Sequence, residues 1–250
     1  MTRKWPEWER YERLIARLIA DQIETDYSVT PNAKVRGLIT GISRQIDVLI
    51  DPRHIRENHR RIAVDAKKKR RKVDVKDVEE FRGLMEDIGA THGYLVCPSG
   101  YTKAAERRAQ ESVFIRVLSL DRLDGFDPSV WPHCRSGKCA EGRVFWDGYP
   151  LVTMQMCKLS GVDQGEPHAR EFLHYVGKCD RCGGFHVWCR TCNEILFLPE
   201  DDEEDLGQQC GCRLPWFWLA SVEEDEDGSK SGELHLCSPS FLETVDRRSM

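Results

Sequence analysis

Two acidic residues sit inside short apolar runs. Arg44-Gln45-Ile46-Asp47-Val48-Leu49-Ile50 holds Asp47, and Arg60-Arg61-Ile62-Ala63-Val64-Asp65-Ala66-Lys67 holds Asp65. Both runs are rich in β-branched residues and read as strands. A carboxylate inside a buried strand is costly unless something pairs with it. Side chains alternate along a strand, so Asp65 and Lys67 point to one face while Val64 and Ala66 point to the other. Asp47 joins them if the two strands pair as a hairpin. Two carboxylates beside an ammonium suit a Mg²⁺ site, where phosphate oxygens complete the ligand set and the lysine offsets developing charge. A second chemistry lies in the thiols. Cys134-x4-Cys139, Cys179-x2-Cys182, Cys189-x2-Cys192 and Cys210-x-Cys212 are spaced as half-sites for structural Zn²⁺. Either Cys179, Cys182, Cys189 and Cys192 share one ion, or Cys189, Cys192, Cys210 and Cys212 share one and the other four a second. The latter grouping leaves no thiol over.

Helices and turns must position these groups. Residues 8–23 read as a helix with one apolar stripe, Tyr11, Leu14, Ile15, Leu18 and Ile19. Glu12 lies at the edge of that stripe, either solvated or reaching a site above the sheet, whereas Glu9 reads as solvated. Residues 35–42 read as extended or turn-rich. Asp51-Pro52 closes the first strand, and residues 53–59 read as a polar, basic loop. Residues 75–88 form a second amphipathic helix, started by Asp74 or Asp77 and ended by Gly89. A short strand at 93–97, a helix from Ala104 with Thr102 as its cap, and a strand at 113–118 follow. The order implies an α/β fold, a mixed sheet with helices on both faces. The run Lys68, Lys69, Arg70, Arg71 and Lys72 reads as a solvated rim able to neutralise DNA phosphates. It also has the look of a nuclear import signal, but the preceding strand already accounts for its position.

The chain has 250 residues, a net charge of -5 and 11 cysteines. Ten of the cysteines fall after residue 130, which divides the chain into a cysteine-poor part, 1–126, and a smaller β-rich zinc-binding part, 130–250. The apolar core of that second part is expected to be thin, leaving its folding to the metal. The aromatic run Leu214-Pro215-Trp216-Phe217-Trp218-Leu219 reads as that core, or as a platform for a base. His133, His168, His174 and His186 read as surface or packed residues rather than ligands, and Cys157 and Cys237 as spare thiols. The negative total argues against a uniformly DNA-coating protein, but charge is segregated: 52–72 is basic, while 200–205 and 223–227 are acidic. No apolar run approaches the roughly 20 residues of a membrane span, and the first residues lack a secretory leader, which points to the cytoplasm and against disulfides.

The stretches Tyr11-Glu12-Arg13-Leu14-Ile15, Arg44-Gln45-Ile46-Asp47-Val48, Val64-Asp65-Ala66-Lys67, Val78-Glu79-Glu80-Phe81 and Gly93-Tyr94-Leu95-Val96-Cys97-Pro98-Ser99-Gly100-Tyr101-Thr102 occur in an order that resembles the PD-(D/E)xK nucleases, most closely the Mrr-type restriction endonucleases. The resemblance spans about the first 120 residues. It implies a restriction-endonuclease-like fold and Mg²⁺-dependent hydrolysis of DNA, in restriction or defence against foreign DNA. By position, Asp47 and Asp65 would bind the metal, Lys67 would activate the water, and Glu12 would be the auxiliary first-helix acid. One such site cuts one strand, so a double-strand break calls for a homodimer. A competing expectation is a non-catalytic adaptor that binds nucleic acid through its zinc domain.

Overall fold

The computed structural model describes residues 5–54, 60–67, 71–110, 113–157, 168–200, 207–224, 228 and 230–250. Helix α1 (Glu7–Ala20) buries Tyr11, Leu14 and Ile15, the inner part of the stripe, and stops three residues earlier than the apolar pattern suggests. Then come β1 (Tyr27–Arg36), β2 (Ser43–Pro52), β3 (Ile62–Ala66), α2 (Val75–Asp87), β4 (His92–Cys97), α3 (Lys103–Ala109) and β5 (Val113–Val117). The five strands form one sheet in the order β1-β2-β3-β4-β5. The first three run antiparallel and the last three parallel, so the sheet is mixed.

Local chemistry explains the boundaries. Asp74 and Asp77 form a reciprocal capping box at the start of α2, and Gly89, at φ 69°, turns the chain out of it. Thr102 Oγ1 accepts the Ala105 amide at the start of α3 at 3.1 Å. The helices cover both faces of the sheet. Val48, Ile50, Val64 and Val96 pack with Tyr11 and Ile15 of α1. Leu49, Ala63, Leu95 and Cys97 pack with Val78 and Phe81 of α2 and Ala105 of α3.

Strand β1 is missing from the sequence reading, which has only 35–42 as extended. Pro31 and Asn32 interrupt its pattern. At the sheet edge both are tolerated: Pro31 needs no ladder donor, and Asn32, at φ 52°, leaves the ladder for one residue while the register runs on unbroken from Pro31↔Val48 to Ala33↔Ile46.

The second half is all antiparallel β. A sheet in the order β6-β7-β8-β9 contains β6 (Val144–Cys157), β7 (His168–Cys179), β8 (Phe185–Cys189) and β9 (Ile195–Leu198). A three-stranded sheet contains β10 (Phe217–Glu224), β11 (Lys230–Ser238) and β12 (Phe241–Ser249). The expectation of a thin core is corrected here. Phe172, Val176, Phe185 and Val187 of one sheet share a core with Trp218, Leu234, Leu236 and Val245 of the other. Trp216 and Trp218 lie inside it, which leaves them no base-stacking face.

Of the basic loop at 53–59 only Arg53 and His54 are described, in a bend, and Arg53 is buried. Arg53 is 1% exposed and pairs with Asp147 at 2.7 Å and Asp246 at 3.1 Å. Lys178 pairs with Asp246 at 2.7 Å and donates to Ser28. Arg61 is buried against Asp51, the Ile88 carbonyl and Ser249. Two arginines of the basic stretch therefore hold the halves of the chain together and do not face solvent. Residues 55–59 and 68–70, with most of both acidic runs, lie outside the described residues. Among those described, no helix is long and apolar enough to cross a membrane.

Candidate carboxylate and thiol sites

The β2–β3 hairpin pairs Val48↔Val64, Leu49↔Ala63 and Ile50↔Ile62. One step further along that register brings Asp47 opposite Asp65. The Ala66 amide donates to Asp47 Oδ2 at 2.7 Å, so this carboxylate bonds directly to the neighbouring strand. Lys67 Nζ lies 2.6 Å from Asp65 Oδ2. Burial alone would lower the Lys67 pKa, but Asp65 and Asp47 raise it and keep the ammonium charged.

Glu12 approaches from α1. Burial first, then the charge of Asp47, with smaller additions from Glu9 and Asp65 against the opposing Arg13, push its pKa up to about 8. Asp47 is pushed up to about 6, by burial and then by Asp65, against the Ala66 amide and Lys67. Asp47 and Asp65 thus share the Lys67 ammonium, and Glu12 is near enough to Asp47 for their charges to repel.

The crowding has a testable sign. Both folded values lie above the ordinary 3.8 and 4.5, so the metal-free protein gains stability from these groups below those values and loses it as pH rises, through about 6 for Asp47 and about 8 for Glu12. Without divalent cations, the thermal midpoint should fall between about pH 5 and pH 8, and Glu12→Gln should flatten the upper part of the fall. A midpoint that stays level in wild type across that range would show that the carboxylates do not repel.

Arg71 gives two bonds to α2, pairing with Asp74 at 2.6 Å and Asp77 at 3.0 Å, and Lys72 beside it is exposed. Lys68, Lys69 and Arg70 lie outside the described residues.

The thiols gather into two groups, Cys134, Cys139, Cys179 and Cys182, and Cys189, Cys192, Cys210 and Cys212. Within each, all four Sγ atoms lie within 4.8 Å of one another. The Cys134–Cys182, Cys139–Cys179 and Cys189–Cys212 Sγ pairs are each 3.8 Å apart. A tetrahedron of sulfurs about 2.3 Å from a central Zn²⁺ has edges of about 3.8 Å, so the spacing fits that ion. Backbone amides face the sulfurs, with Ser136 N to Cys134 Sγ and Arg181 N to Cys179 Sγ both at 3.4 Å. At Gly142 any side chain would collide with the Cys179 and Cys139 sulfurs, so glycine is required against the first group. The eight thiols of the two groups are free of disulfides, as are Cys97 and Cys237. His186 is no ligand in either group. It is buried, and its Nε2 accepts the Arg135 amide at 3.0 Å.

Several residues of α1 were unreadable from sequence. Glu9 is buried, 2.9 Å from Arg181, so its reading as a solvated residue is corrected. Arg13 is buried against Asp180. Tyr11 Oη donates to the Leu118 carbonyl at 2.9 Å, and Arg10 donates to the carbonyls of Leu123 and Phe126. The apolar stripe marks Tyr11 as buried, but no local pattern gives the partners of these residues, which are about 100 residues or more away.

Comparison with known proteins places the first half. Residues 4–126 match the restriction endonuclease family Mrr_cat. The match covers the N-terminal region, just under half of the chain. The mixed sheet flanked by helices is a restriction-endonuclease-like fold that agrees with it, and the β-rich half with its four-thiol clusters is a smaller metal-binding domain. No curated protein matches the chain. Among solved structures, the crystal structure of AF1548, a protein of unknown function, is 14% identical, covers 51% of this chain and 73% of its own, and superposes with a TM-score of 0.37. That likeness is too loose to bear on function.

Proposed function

We propose that this protein is a Mg²⁺-dependent endonuclease that hydrolyses DNA phosphodiester bonds at Asp47, Asp65, Lys67 and Glu12 of its Mrr domain. The Asp65–Lys67 pair at 2.6 Å, with Asp47 bonded to the Ala66 amide on the neighbouring strand of a region that matches a restriction-endonuclease family, carries the reading. Asp47 and Asp65 would hold the Mg²⁺. When bound, the ion would polarise a phosphate oxygen and lower the pKa of a water.

The chain's own groups do the rest. Asp65 holds the Lys67 ammonium in place and charged, where it can donate to a non-bridging phosphate oxygen as negative charge builds. Glu12, whose pKa is raised by burial and by Asp47, would offer a further carboxylate oxygen or orient a water. The two thiol clusters would each hold a structural Zn²⁺, in a domain covering 130–250 beside a nuclease domain covering 1–126. The basic residues 68–72 would neutralise backbone phosphates. A double-strand break would require two copies of the site.

The test is supercoiled plasmid with Mg²⁺, then with Mn²⁺. Nicked and linear products should appear only with metal. Lys67→Ala should slow them by about 10²-fold or more while circular dichroism stays unchanged. Purified protein that shifts DNA on a gel yet leaves it intact with every metal would favour the non-catalytic adaptor. A Lys67→Ala protein cutting at the wild-type rate would remove the mechanism.

A further inference from the structure

The turn between Cys179 and Cys182 grips the helix that carries Glu12. Of the two residues between those thiols, Asp180 has a fully buried carboxylate that takes Arg13 Nε at 2.7 Å, Arg13 Nη2 and the Arg143 amide at 2.8 Å. Arg181 reaches Glu9 at 2.9 Å, while its own amide donates to the Cys179 sulfur. Glu9 and Arg13 are one turn apart on α1, and Glu12 directly precedes Arg13. Arg13 is further fixed under the Trp5 ring, 4.5 Å from its centroid, and donates to the Glu9 carbonyl at 3.1 Å. Both Arg13 bonds end on Asp180 Oδ2 while Oδ1 takes the Arg143 amide, so the carboxylate is held from both oxygens, and a buried charge-assisted pair of this kind leaves little room to slide. The helix is therefore held at two points by a loop whose shape depends on its thiols converging on one ion.

We propose that Asp180 and Arg181 are positioning residues for the Asp47–Asp65 site. Through Arg13 and Glu9, the metal-filled first thiol cluster fixes where Glu12 stands, and so sets how tightly the carboxylates bind their divalent cation. This rests on reading Asp47, Asp65 and Glu12 as a cation site. A misplacement on the order of 1 Å at such a ligand is enough to weaken it strongly.

The experiment uses the full-length protein and Mn²⁺, with the dissociation constant read from electron paramagnetic resonance and zinc content from mass spectrometry. Asp180→Asn should keep its zinc and weaken Mn²⁺ binding by about 10-fold. Glu12→Gln should weaken it as well, and the double variant should be no weaker than Glu12→Gln alone. A purely structural role would instead lower the thermal midpoint and leave the Mn²⁺ constant unmoved. Effects of the two substitutions that multiply, or an Asp180→Asn protein with wild-type affinity, overturn the proposal. If Asp180→Asn fails to fold, Arg181→Met replaces it. That side chain is 32% exposed, and the same cancellation by Glu12→Gln is expected. Asp47→Asn separates the two layers: if it leaves Mn²⁺ binding intact, the cation-site reading itself fails, and this proposal with it.

Discussion

Serine at both Cys189 and Cys212 should halve the zinc content of the protein and lower the thermal midpoint of its second half. The two sulfurs stand 3.8 Å apart in a group of four that joins the β8 end to the 210–212 turn. Cys189 and Cys210 are buried within the apolar core of the two C-terminal sheets, so the ion site and the core are continuous. Glu194, two residues beyond the 189–192 knuckle, accepts the Gly211 amide at 2.7 Å and ties the two turns together. Structural zinc contributes about 10–16 kcal/mol of apparent binding energy in small domains, and that energy is folding energy. The larger core here retains part of the fold, so the expected loss is a fall in thermal midpoint of more than about 10 °C, with dye binding to exposed apolar surface. Mass spectrometry should find the first cluster still filled. A doubly substituted protein with an unchanged midpoint would show that the second cluster is dispensable to the fold.

Arg53→Met should destabilise the whole chain by about 3–5 kcal/mol. Arg53 bridges Asp147 and Asp246, donates to the carbonyls of Thr25 and Tyr27, and stacks on Tyr149 at 4.2 Å from the ring centroid. Burial alone would lower its pKa, but Asp246 and Asp147 hold it charged. Asp246 is likewise held ionised against its burial by Lys178 and Arg53. Methionine fills similar space but leaves Asp147 with no cation and Asp246 with Lys178 only. Breaking one side of a buried pair strands the other charge, which is why the cost exceeds the net value of the pair. Chemical denaturation measures it. Asp147→Leu in the same chain should recover part of the loss, since removing both charges removes the stranded one. A cost under about 1 kcal/mol would mean that water reaches the network.

The sequence showed some of this and hid the rest, for physical reasons. Asp47, Asp65 and Lys67 were legible because a period of two in β-branched residues marks a strand, and acids stand out inside one. The capping box of α2 and the Thr102 cap were legible because such signals act within four residues. Strand β1 was not, since edge position excuses the proline and the left-handed asparagine that spoil its pattern. Thiol spacing pointed to metal sites, but their grouping came only with the folded chain. The strands β6, β7 and β10 to β12 escaped notice because attention to thiols supplies no strand pattern. Arg13, Arg53 and Asp180 were invisible as buried residues. In a sequence each is a surface charge, and only the fold reveals a partner about 94 to 193 positions away.

The last residues lie against the first sheet: the Arg36 amide donates to the Met250 carbonyl at 3.2 Å, and Ser249 bonds to Arg61 and Asp51. While a ribosome is still making the later strands, the open side of β1 has no such neighbour, and an unquenched strand edge is a template for other chains to add to. Cutting the polypeptide at residue 126 would make that exposure permanent and would leave Arg13 and Arg53 without their distant acids. Nascent protein should therefore need shelter until residues 241–250 have been made, and residues 1–126 expressed by themselves should collect in inclusion bodies.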